Sequence, residues 1–538
     1  MSGRKLLIDT NVFIGLEDER EVAPEFATLQ QLCAQHSVRI FIHERAADDI
    51  GRDRDVKRRA ISLSKIRKFE PLKRVSQPPK ADLEARFGAM PKPNDEVDVA
   101  LLHALDINAV DFLVTQDQGI HTRARRTSAA LGNRILTVSD AVVWLRAAFE
   151  SLQVRLPLVE ELPAHAVPLS DEIFDSLREG YPGFDQWWRT KCVAEHRPCW
   201  VVSIGGEIAG LVVRKEETHA QAGTRHPGPK ILKVCTFKVK PKFRGEKLGE
   251  LLLKQILWFA QRNAFDLVYL TTFDSQAVLI EVLQYYGFAM TGTNGLGEQI
   301  YEKALPRDQL VSGANDNLFD LARLNYPRFT ARSPATAFCI PIQSEFHDIL
   351  FPELAVKVPK PQLDLFAEQS LDHEDQAIRR PGNTIRKVYL CRAMTQQLRS
   401  GSVVLFYRSN SPGYVASQSI TSVGVVEAIH QAVSLDDLAR LTAKRSVYSE
   451  AKLAAFEATA QRPVKVIDFL LVGHIEPAIK LDDLKRMGVF RGAPPQSISQ
   501  LRKRDSNLFA TAWHLGSQSD GKGCRRQQVR AGDERGFA

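Results

Sequence analysis

The first 150 residues alternate short apolar runs with segments of helical periodicity. The runs are KLLID, RIFIH, DFLVTQD and RILTV, and the helical segments include DVALLHALD and DAVVWLRAAF. Apolar runs of this length separated by helices are typical of the strands of a parallel sheet. The pattern therefore predicts a parallel α/β domain over residues 1–150.

A second pattern fills residues 151–310. Apolar strands (WVVSI, IAGLVV, LKVCTFKV, DLVYLTTF) surround one amphipathic helix, GELLLKQILWFAQRN, in which Leu and Ile recur every three or four positions. The turn IGGEIAG joins the first two strands as a hairpin. The prolines of LPLVEELPAHAVPL predict an extended linker before this domain. We expect a mixed α+β domain.

The rest of the chain is rich in strands. Turn formers in PRDQLVSGANDN predict a linker over residues 311–335. The runs KVYLCRA, SVVLFYRS, SVGVVEAIH and KVIDFLLVGHI, with one helical insert, KLAAFEATA, predict a small mixed β barrel over residues 336–515. Residues 516–538 are polar and basic without any period, which predicts a disordered tail.

Composition sets broad limits on this organisation. The chain has 538 residues, and single cores stop growing at roughly 250 to 300 residues, so several domains are expected. The net charge of +8 permits a polyanionic partner without requiring one. Seven scattered cysteines without a CxxC pair indicate buried thiols in a reducing compartment. No apolar window reaches the roughly 18 residues of a membrane span, so we expect a cytoplasmic protein without a membrane partner.

Acidic residues follow the apolar runs of the first domain. The stretch LLIDTNVFIG ends a strand at an acid, LVTQD ends another, and two helices open with further acids. Carboxyl ends of parallel strands meet at one edge of a sheet, where the acids would repel one another and raise their pKa values. A divalent cation would relieve that repulsion, so these residues predict a Mg²⁺ or Mn²⁺ site that activates water.

The arrangement resembles the PIN-domain nucleases, whose pattern is Asp-x-Asn after a strand, two helix acids, and T-x-D after a later strand. The resemblance implies metal-dependent cleavage of RNA. The catalytic residues and metal ligands would then be Asp9 (with Asn11), Asp49, Asp98 and Asp117 (after Thr115). Glu44 and Asp48 compete for the second position and Asp95 for the third. The alternative is that the acids at the helix starts are there only because the helix dipole stabilises negative charge at that end.

The stretch VKPKFRGEKLGELLLKQIL joins a strand to the amphipathic helix through a tight turn. The start of a helix leaves about four backbone N–H groups without partners, and the helix dipole adds positive potential there. Such a turn binds anions, phosphate above all. Gly245 and Gly249 permit close approach of the backbone. Five basic residues surround the turn: Lys238, Lys240, Lys242, Arg244 and Lys247.

This turn and the strand order around it resemble the GNAT family of N-acetyltransferases, whose pattern (Q/R)-x-x-G-x-(G/A) falls on residues 244–249. The resemblance implies acetyl transfer from acetyl-CoA to an amine. It places the pantetheine arm on the backbone of Phe237 and Val239. The pyrophosphate would lie on the turn of Arg244, Gly245, Glu246, Lys247, Leu248 and Gly249. Ser275 or Gln276 occupies the neighbourhood of the family's asparagine.

Two positions depart from the family pattern. Lys247 replaces a glycine, which is compatible with a negative φ, and its ammonium would reach a phosphate. Leu283 stands where the family often has a tyrosine, so Tyr285 and Tyr286 become the candidate general acids, with water or the substrate as alternatives. Candidate bases for the acceptor amine are Glu207, Glu217 and His219, each of which also fits a solvated surface position.

The segment GNTIRKVYLCRAMTQQLRSGSVVLFYRS alternates basic, aromatic and apolar residues. It resembles the PUA-like barrels of the ASCH and EVE groups, which implies recognition of RNA or modified bases. The candidate groove residues are Arg386, Lys387, Tyr389, Tyr407 and Arg408. The alternative is that the aromatic residues only fill the core.

Taken together, the resemblances favour an acetyltransferase fused to a metal-dependent ribonuclease and an RNA-binding barrel. The acceptor amine would then lie on RNA, on aminoacyl-tRNA or on an RNA-bound protein, which is an analogy across domains. The alternatives are a toxin-like or regulatory ribonuclease with acetyl-CoA as effector, and an inert nucleic-acid-binding scaffold. The sequence leaves the acceptor and the oligomeric state open.

Overall fold

The computed structural model describes most of the chain, with gaps. The described residues are 4–17, 22–52, 55–73, 75–76, 78–149, 159–305, 317–328, 336–354, 384–410, 417–445, 448, 450–490 and 492–502. They form three sheets, one in each predicted domain. The predicted tail, residues 516–538, lies outside the described residues.

The first sheet is parallel throughout, with strand order β3-β2-β1-β4-β5. Its strands are β1 (Lys5–Ile8), β2 (Arg39–His43), β3 (Glu70–Leu72), β4 (Phe112–Val114) and β5 (Ile135–Leu136). Its helices are α1 (Thr10–Glu17), α2 (Pro24–Gln35), α3 (Ala46–Gly51), α4 (Val56–Lys65), α5 (Lys80–Phe87), α6 (Pro93–Asp106), α7 (Gln118–Thr127), α8 (Ala129–Asn133) and α9 (Val138–Phe149).

Helices cover both faces of this sheet, as the sequence pattern predicts. Leu6 and Ile8 enter one core, and Leu7 between them enters the other. Successive side chains of a strand point to opposite faces, so a strand that is apolar at every position is buried on both. The parallel α/β prediction is therefore confirmed. The pattern did not reveal β3, in which only Leu72 is buried.

The second sheet is mixed, with order β11-β12-β10-β9-β8-β7-β6. Its strands are β6 (Val159–Pro163), β7 (Pro198–Ile204), β8 (Glu207–Glu217), β9 (Ile231–Val239), β10 (Leu267–Thr272), β11 (Ala289–Thr293) and β12 (Gln299–Ala304). Its helices are α10 (Asp175–Gly180), α11 (Phe184–Trp187), α12 (His219–Ala222), α13 (Leu248–Arg262) and α14 (Ala277–Tyr285). The predicted hairpin and the predicted start of α13 are confirmed.

Two segments predicted as linkers contain regular structure. Val159–Pro163 forms β6 and pairs antiparallel with β7, with Val159 opposite Val202 and Leu162 opposite Cys199. Residues 317–328 include helix α15 (Leu318–Leu324). The side chain of Asn317 accepts a hydrogen bond from the N–H of Asp320 at 2.9 Å and so caps this helix. Phe319 is buried against the main core.

The third sheet has order β14-β17-β16-β15-β13-β18. Its strands are β13 (Ala337–Ile342), β14 (Arg386–Cys391), β15 (Val403–Arg408), β16 (Ser419–Ala432), β17 (Val464–Lys480) and β18 (Ser499–Gln500). Its helices are α16 (Ser344–Leu350), α17 (Leu435–Thr442), α18 (Glu450–Ala454) and α19 (Leu481–Arg486).

The predicted small mixed β barrel is not confirmed, because the residues that the structure describes form no closed barrel. The edge strands β14 and β18 do not pair with each other there, so the sheet is open. Three irregularities interrupt the pairing of β16 with β17. Bulges of this kind increase twist and bend a sheet. The third sheet is therefore irregular between β16 and β17 and open at its edges in the described chain.

The domains are joined in two ways. One hydrophobic core runs from Trp200 and Leu252 of the second domain to Leu405 and Leu470 of the third. The first domain is attached to the third by charged side chains. The pairs are Arg4 with Asp436, Arg4 with Glu450 at 2.8 Å, and Asp111 with Arg440 at 2.6 Å. Among the described residues, no helix combines the length and the apolar character needed to cross a bilayer.

Candidate functional site

The parallel strands β9 and β10 separate along their length. Their pairing runs from Ile231 opposite Leu267 to Val234 opposite Leu270 and ends there. Strand β9 continues to Val239 and stays paired with β8 on its other side. Beyond Val234, the side of β9 that faces β10 has no strand partner within the described chain. This opening is the point at which an extended ligand could add to the sheet.

The backbone of Phe237 and Val239 faces this opening. The N–H of Lys240 donates to the carbonyl of Ala209 at 2.9 Å, so Lys240 faces β8. Backbone groups of successive strand residues point to opposite sides. Phe237 and Val239 therefore direct their N–H and C=O groups away from β8. These are the two residues that the family resemblance assigns to the pantetheine arm.

The turn between β9 and α13 presents backbone donors to open space. No acceptor within the described chain lies on the N–H groups of Lys247, Leu248 or Gly249. A β-carbon at Gly249 would meet no heavy atom within 4 Å. With the positive end of the α13 dipole, these donors suit an anionic group. The residues present therefore fit the pyrophosphate of a CoA thioester.

Lys247 differs from the expectation in backbone and in side chain. Its φ is +59°, so the residue is left-handed and does not adopt the negative φ that would accommodate its β-carbon. This conformation costs a non-glycine residue roughly 1 to 2 kcal/mol, which explains why the family pattern has glycine there. Its Nζ lies 2.7 Å from Oδ1 of Asp140 in α9. The ammonium that we expected on a phosphate thus has a partner in the first domain.

The start of α9 packs directly on the turn. A β-carbon at Gly245, whose φ is +83°, would lie 2.7 Å from the carbonyl carbon and oxygen of Ser139. Burial raises the pKa of the Asp140 carboxyl, but the ammonium groups of Lys247 and Lys444 outweigh it and hold that pKa below its usual value. Burial lowers the pKa of Lys444 to about 7. No sequence pattern singles out Asp140 or Lys444, since each lies in a different domain from the turn.

The first turn of α13 also contacts the third sheet. Oε1 of Glu250 accepts hydrogen bonds from the N–H groups of Ile385 at 2.9 Å and Arg386 at 2.8 Å. The hydroxyl of Tyr286 donates to the same oxygen at 3.2 Å. Burial raises the pKa of Tyr286 well above its usual value. Glu250 therefore connects α13 to the start of β14.

Tyr285, the other candidate acid, lies between two guanidinium groups. Its ring is 4.6 Å from Arg323 and 5.2 Å from Arg386, and burial raises its pKa to about 12. Tyr285 and Tyr286 thus both contact residues that hold α14 in place, and their role as general acids stays a prediction. Leu283 is buried in the main core. Three further predicted residues, Arg244, Ser275 and Gln276, are exposed, and their roles stay predictions.

A buried carboxylate lies where β9 and β10 separate. Oε1 of Glu298 accepts from the hydroxyl of Tyr181 at 2.6 Å. Oε2 accepts from Thr271 Oγ1 at 3.0 Å and Asn294 Nδ2 at 2.7 Å. Thr271 directly follows Leu270, the last residue of β10 that pairs with β9. Sequence reasoning missed Glu298, because the loop before β12 carries no motif.

Glu298 differs from two other buried glutamates of this domain. Glu217 has the Nζ of Lys215 at 3.4 Å, and Glu302 has Nδ1 of His226 at 2.7 Å. Within the described chain, no cationic side chain pairs with Glu298. A buried carboxylate held only by neutral donors lacks its counter-charge.

The three predicted bases have other surroundings. Glu207 bonds the ammonium of Lys242, which lowers the pKa of that carboxyl. Glu217 accepts from the hydroxyl of Tyr269 at 2.5 Å, and His219 is exposed at the start of α12. None of the three is a buried carboxylate without a cationic partner among the described residues, as Glu298 is.

In the first domain, the strand-end motifs meet as predicted. Oδ2 of Asp9 accepts from Thr115 Oγ1 and from Asn11 Nδ2, both at 2.6 Å. The N–H of Asp117 donates to Thr115 Oγ1 at 3.0 Å. The Asp-x-Asn and T-x-D segments thus form one hydrogen-bonded network at the ends of β1 and β4.

Four carboxylates share this edge of the sheet. Burial, followed by repulsion from Asp117 and Asp49, raises the pKa of Asp9 to about 6 against the hydrogen bonds that lower it. Burial, Asp117 and Asp9 raise the pKa of Asp98 to about 7. Asp49 rather than the exposed Asp48 thus faces the network.

The competing acid of α6 has a structural role. Asp95 accepts from the N–H of Lys92 at 2.8 Å and pairs with Arg123 at 3.0 Å. Asp117 also caps a helix, since it accepts from the N–H of Gly119 at 2.6 Å. Within the described residues, which include Asp9, Asp49, Asp98 and Asp117, no group of three or more His, Cys, Asp or Glu side chains is placed to hold a metal ion. As placed, these residues do not fit the predicted Mg²⁺ or Mn²⁺.

The predicted groove of the third domain is not a surface groove. Lys387, Tyr407 and Arg408 are each at most 2% exposed. Arg386 pairs with Glu427, and Arg408 pairs with Asp348 at 3.0 Å. The hydroxyl of Tyr389 donates to the carbonyl of Pro341 at 3.2 Å. Alternation of basic and aromatic residues here reflects a polar core, and RNA binding stays a prediction.

Residues 163–288 match the acetyltransferase (GNAT) family. The matched range contains β9, β10, the turn after β9 and helix α13. These elements form the opening beside β9 and the cradle, by which we mean the N–H groups of Lys247, Leu248 and Gly249. A comparison with curated proteins finds no match.

Solved structures resemble separate parts of the chain. One is the Paia N-acetyltransferase from Thermoplasma acidophilum in complex with coenzyme A, with 14% identity, 28% of this chain and 99% of that chain covered, and a TM-score of 0.23. A GNAT family acetyltransferase from Elizabethkingia anophelis with acetyl-CoA bound has 15% identity, coverage of 28% and 98%, and a TM-score of 0.22. ASCH from Zymomonas mobilis has 20% identity, coverage of 32% and 94%, and a TM-score of 0.22.

Proposed function

We propose that the second domain transfers the acetyl group of acetyl-CoA to an amine. The observation that carries this proposal is the pairing of two features at one place. The edge of β9 is left open by the divergence of β10. The start of α13 next to it presents N–H groups without acceptors among the described residues. The family match over residues 163–288 supports the same function.

The backbone has the binding role in this proposal. Phe237 and Val239 hold the pantetheine arm in the manner of an added strand. The N–H groups of Lys247, Leu248 and Gly249 hold the pyrophosphate, aided by the helix dipole. Bound acetyl-CoA supplies a thioester whose carbonyl carbon accepts the amine.

The negative charge of Glu298 favours a cationic acceptor. A cationic amine docked at the mouth of the opening supplies the counter-charge that Glu298 lacks among the described residues. The ammonium must lose a proton before its nitrogen attacks, and in this proposal Glu298 accepts it. The new C–N bond then replaces the C–S bond, and the thiolate takes up the second proton that the attacking nitrogen loses as it becomes an amide. Tyr181, Thr271 and Asn294 keep the carboxylate oriented.

The flanking domains limit the choice of acceptor amine only by analogy. An amine on RNA, on aminoacyl-tRNA or on an RNA-bound protein remains the proposal, with free polyamines as the simplest alternative. In the regulatory alternative, acetyl-CoA binds as an effector and is not consumed.

Calorimetry and turnover test the proposal together. Acetyl-CoA should bind the full chain and be converted to CoA when lysine, spermidine or charged tRNA is supplied. Binding without turnover over the whole amine panel would favour the effector alternative. The absence of binding heat with acetyl-CoA and with CoA would overturn the proposal.

A metal-dependent ribonuclease is the second candidate. It is favoured by the hydrogen-bonded network of Asp9, Asn11 and Thr115 at the strand ends. The carboxylates as placed do not fit a metal, so this second proposal includes no catalytic step. Cleavage of RNA with Mn²⁺ that is lost in Asp9→Asn would support it, and cleavage unchanged by that substitution would exclude it.

A further inference from the structure

We infer that Asp140, a residue of the first domain, belongs to the cofactor site and weakens its affinity for CoA by competing with phosphate for Lys247. The inference rests on the proposed function, because it needs CoA phosphates on the turn before α13. It adds a residue from outside the matched range 163–288. It also couples the cofactor to the docking of the first domain.

The first domain contacts the second at the turn, and again where Arg125 of α7 pairs with Glu281 of α14. The backbone of Ser139 lies against Gly245, so close that a β-carbon there would be 2.7 Å from its carbonyl. The carboxylate of Asp140 reaches Nζ of Lys247 at 2.7 Å, with the two side chains 14% and 23% exposed. Lys247 is the residue immediately before α13, whose first N–H groups have no acceptor among the described residues.

Competition follows from the charges. The open space beside Gly249 admits an anion to the helix start. That anion can pair with the ammonium of Lys247 only if the ammonium separates from Asp140. A carboxylate that stays beside Lys247 repels the phosphate. The side chain of a lysine makes point-charge contacts and turns readily between two acceptors.

Asp140 does not lose all positive neighbours in this exchange. Lys444 of the third domain also acts on the carboxylate and lowers its pKa. Nζ of Lys444 donates to the carbonyl of Gly132 at 3.0 Å, which holds it beside the first domain. Asp140 can therefore release Lys247 and still have the positive charge of Lys444 acting on it. The price of cofactor binding is a weaker junction between the first and second domains.

The test measures CoA affinity of the full chain by calorimetry. Asp140→Asn should tighten CoA binding about five- to tenfold, within the usual range of coupling between sites. Lys247→Met should weaken CoA binding and should remove the effect of Asp140→Asn in the double variant. Pantetheine, which has no phosphate, should bind wild type and Asp140→Asn equally. Asp106→Asn, which breaks the pair with Arg86 in the same domain, is the matched control and should leave CoA affinity unchanged.

Three outcomes would overturn the inference. Unchanged or weaker CoA binding by Asp140→Asn shows that Asp140 only supports Lys247 or the fold. An equal gain for pantetheine shows a general loosening of the junction. The absence of CoA binding by both wild type and Asp140→Asn overturns the proposed function as well. If wild type binds CoA and Asp140→Asn binds it equally, only the inference falls.

Discussion

The ends of β1 and β4 and the ends of β9 and β10 are two places where parallel strands bring polar groups to one edge of a sheet. At the first place, Asp9, Asn11 and Thr115 are the residue types expected of a catalytic centre, but they bond one another. At the second place, the strands separate, and the donors at the helix start have no acceptors within the described chain. The comparison teaches that unmet hydrogen-bonding capacity indicates a ligand more strongly than residue type does.

The largest effect is expected at the cradle. Gly249→Glu should weaken acetyl-CoA binding at least about 100-fold, since a carboxylate would replace open space beside the phosphate. The open space also means that the fold should tolerate the substitution, with little change in the thermal midpoint. Gly249→Ala is the control and should keep affinity within about twofold while stabilising the helix by up to about 1 kcal/mol. Equal affinity of the Glu variant would place the phosphates elsewhere.

A smaller effect is expected where the second site lacks a counter-charge. Glu298→Gln should raise KM for the amine acceptor about 10- to 30-fold through loss of a charged contact, with the Kd of acetyl-CoA unchanged. It should also lower kcat, because an amide cannot accept the proton of the amine. Steady-state kinetics with the amine found in the turnover panel measures this. Glu217→Gln removes a buried carboxylate of the same domain that already has lysine neighbours, and should leave KM near wild type. A raised Kd for acetyl-CoA in Glu298→Gln would assign it a structural role.

At the first site, the internal hydrogen bonds themselves can be broken. Thr115→Val should destabilise the first domain by about 2 kcal/mol, because the buried Asp9 carboxylate loses a charge-assisted hydrogen bond from a fully buried donor. Thermal unfolding at pH 7 would show a lower midpoint. Thr127→Val, which removes a hydroxyl bonded only to the carbonyl of Arg123, is the control and should have a smaller effect. An unchanged midpoint in Thr115→Val would show that the network is not tight.

The smallest effect tests whether the carboxylates of the first site repel one another. The pKa of Asp98 is raised from 3.8 to about 7 in the fold, so ionising it costs stability as the pH rises from about 4 to 7. Asp98→Asn should therefore stabilise the protein by about 1 kcal/mol at pH 8, and by progressively less towards pH 4. Thermal midpoints at pH 5 and pH 8 check the sign.

The same measurement addresses the metal. A midpoint of wild type that rises with Mn²⁺, and fails to rise in Asp9→Asn, would show that a cation gathers the four carboxylates. That result would revive the nuclease proposal. A gain in Asp98→Asn that is larger at pH 5 than at pH 8 would contradict the assigned repulsion.

Local patterns predicted more of the fold than of the site. The start of α13 and the meeting of Asp9 with Thr115 follow from periodicity and from strand ends, which depend on short stretches of chain. The strand β6, the left-handed Lys247 and the open third sheet depend on packing between distant segments. The roles of Asp140 and Glu298 could not be predicted at all, because they depend on neighbours in other elements. Whether each carboxylate has a cationic partner is decided only in the folded chain.

Arg4 shows what this long-range assembly means for the growing chain. It is buried at 6% exposure and pairs with Asp436, which follows it by 432 positions, and with Glu450. Synthesis at roughly 5 to 20 residues per second leaves the guanidinium without these carboxylates for tens of seconds. Until they arrive, the first domain presents a charged surface that the finished protein hides. A chain that is cut short before Asp436 would therefore keep that charged surface exposed.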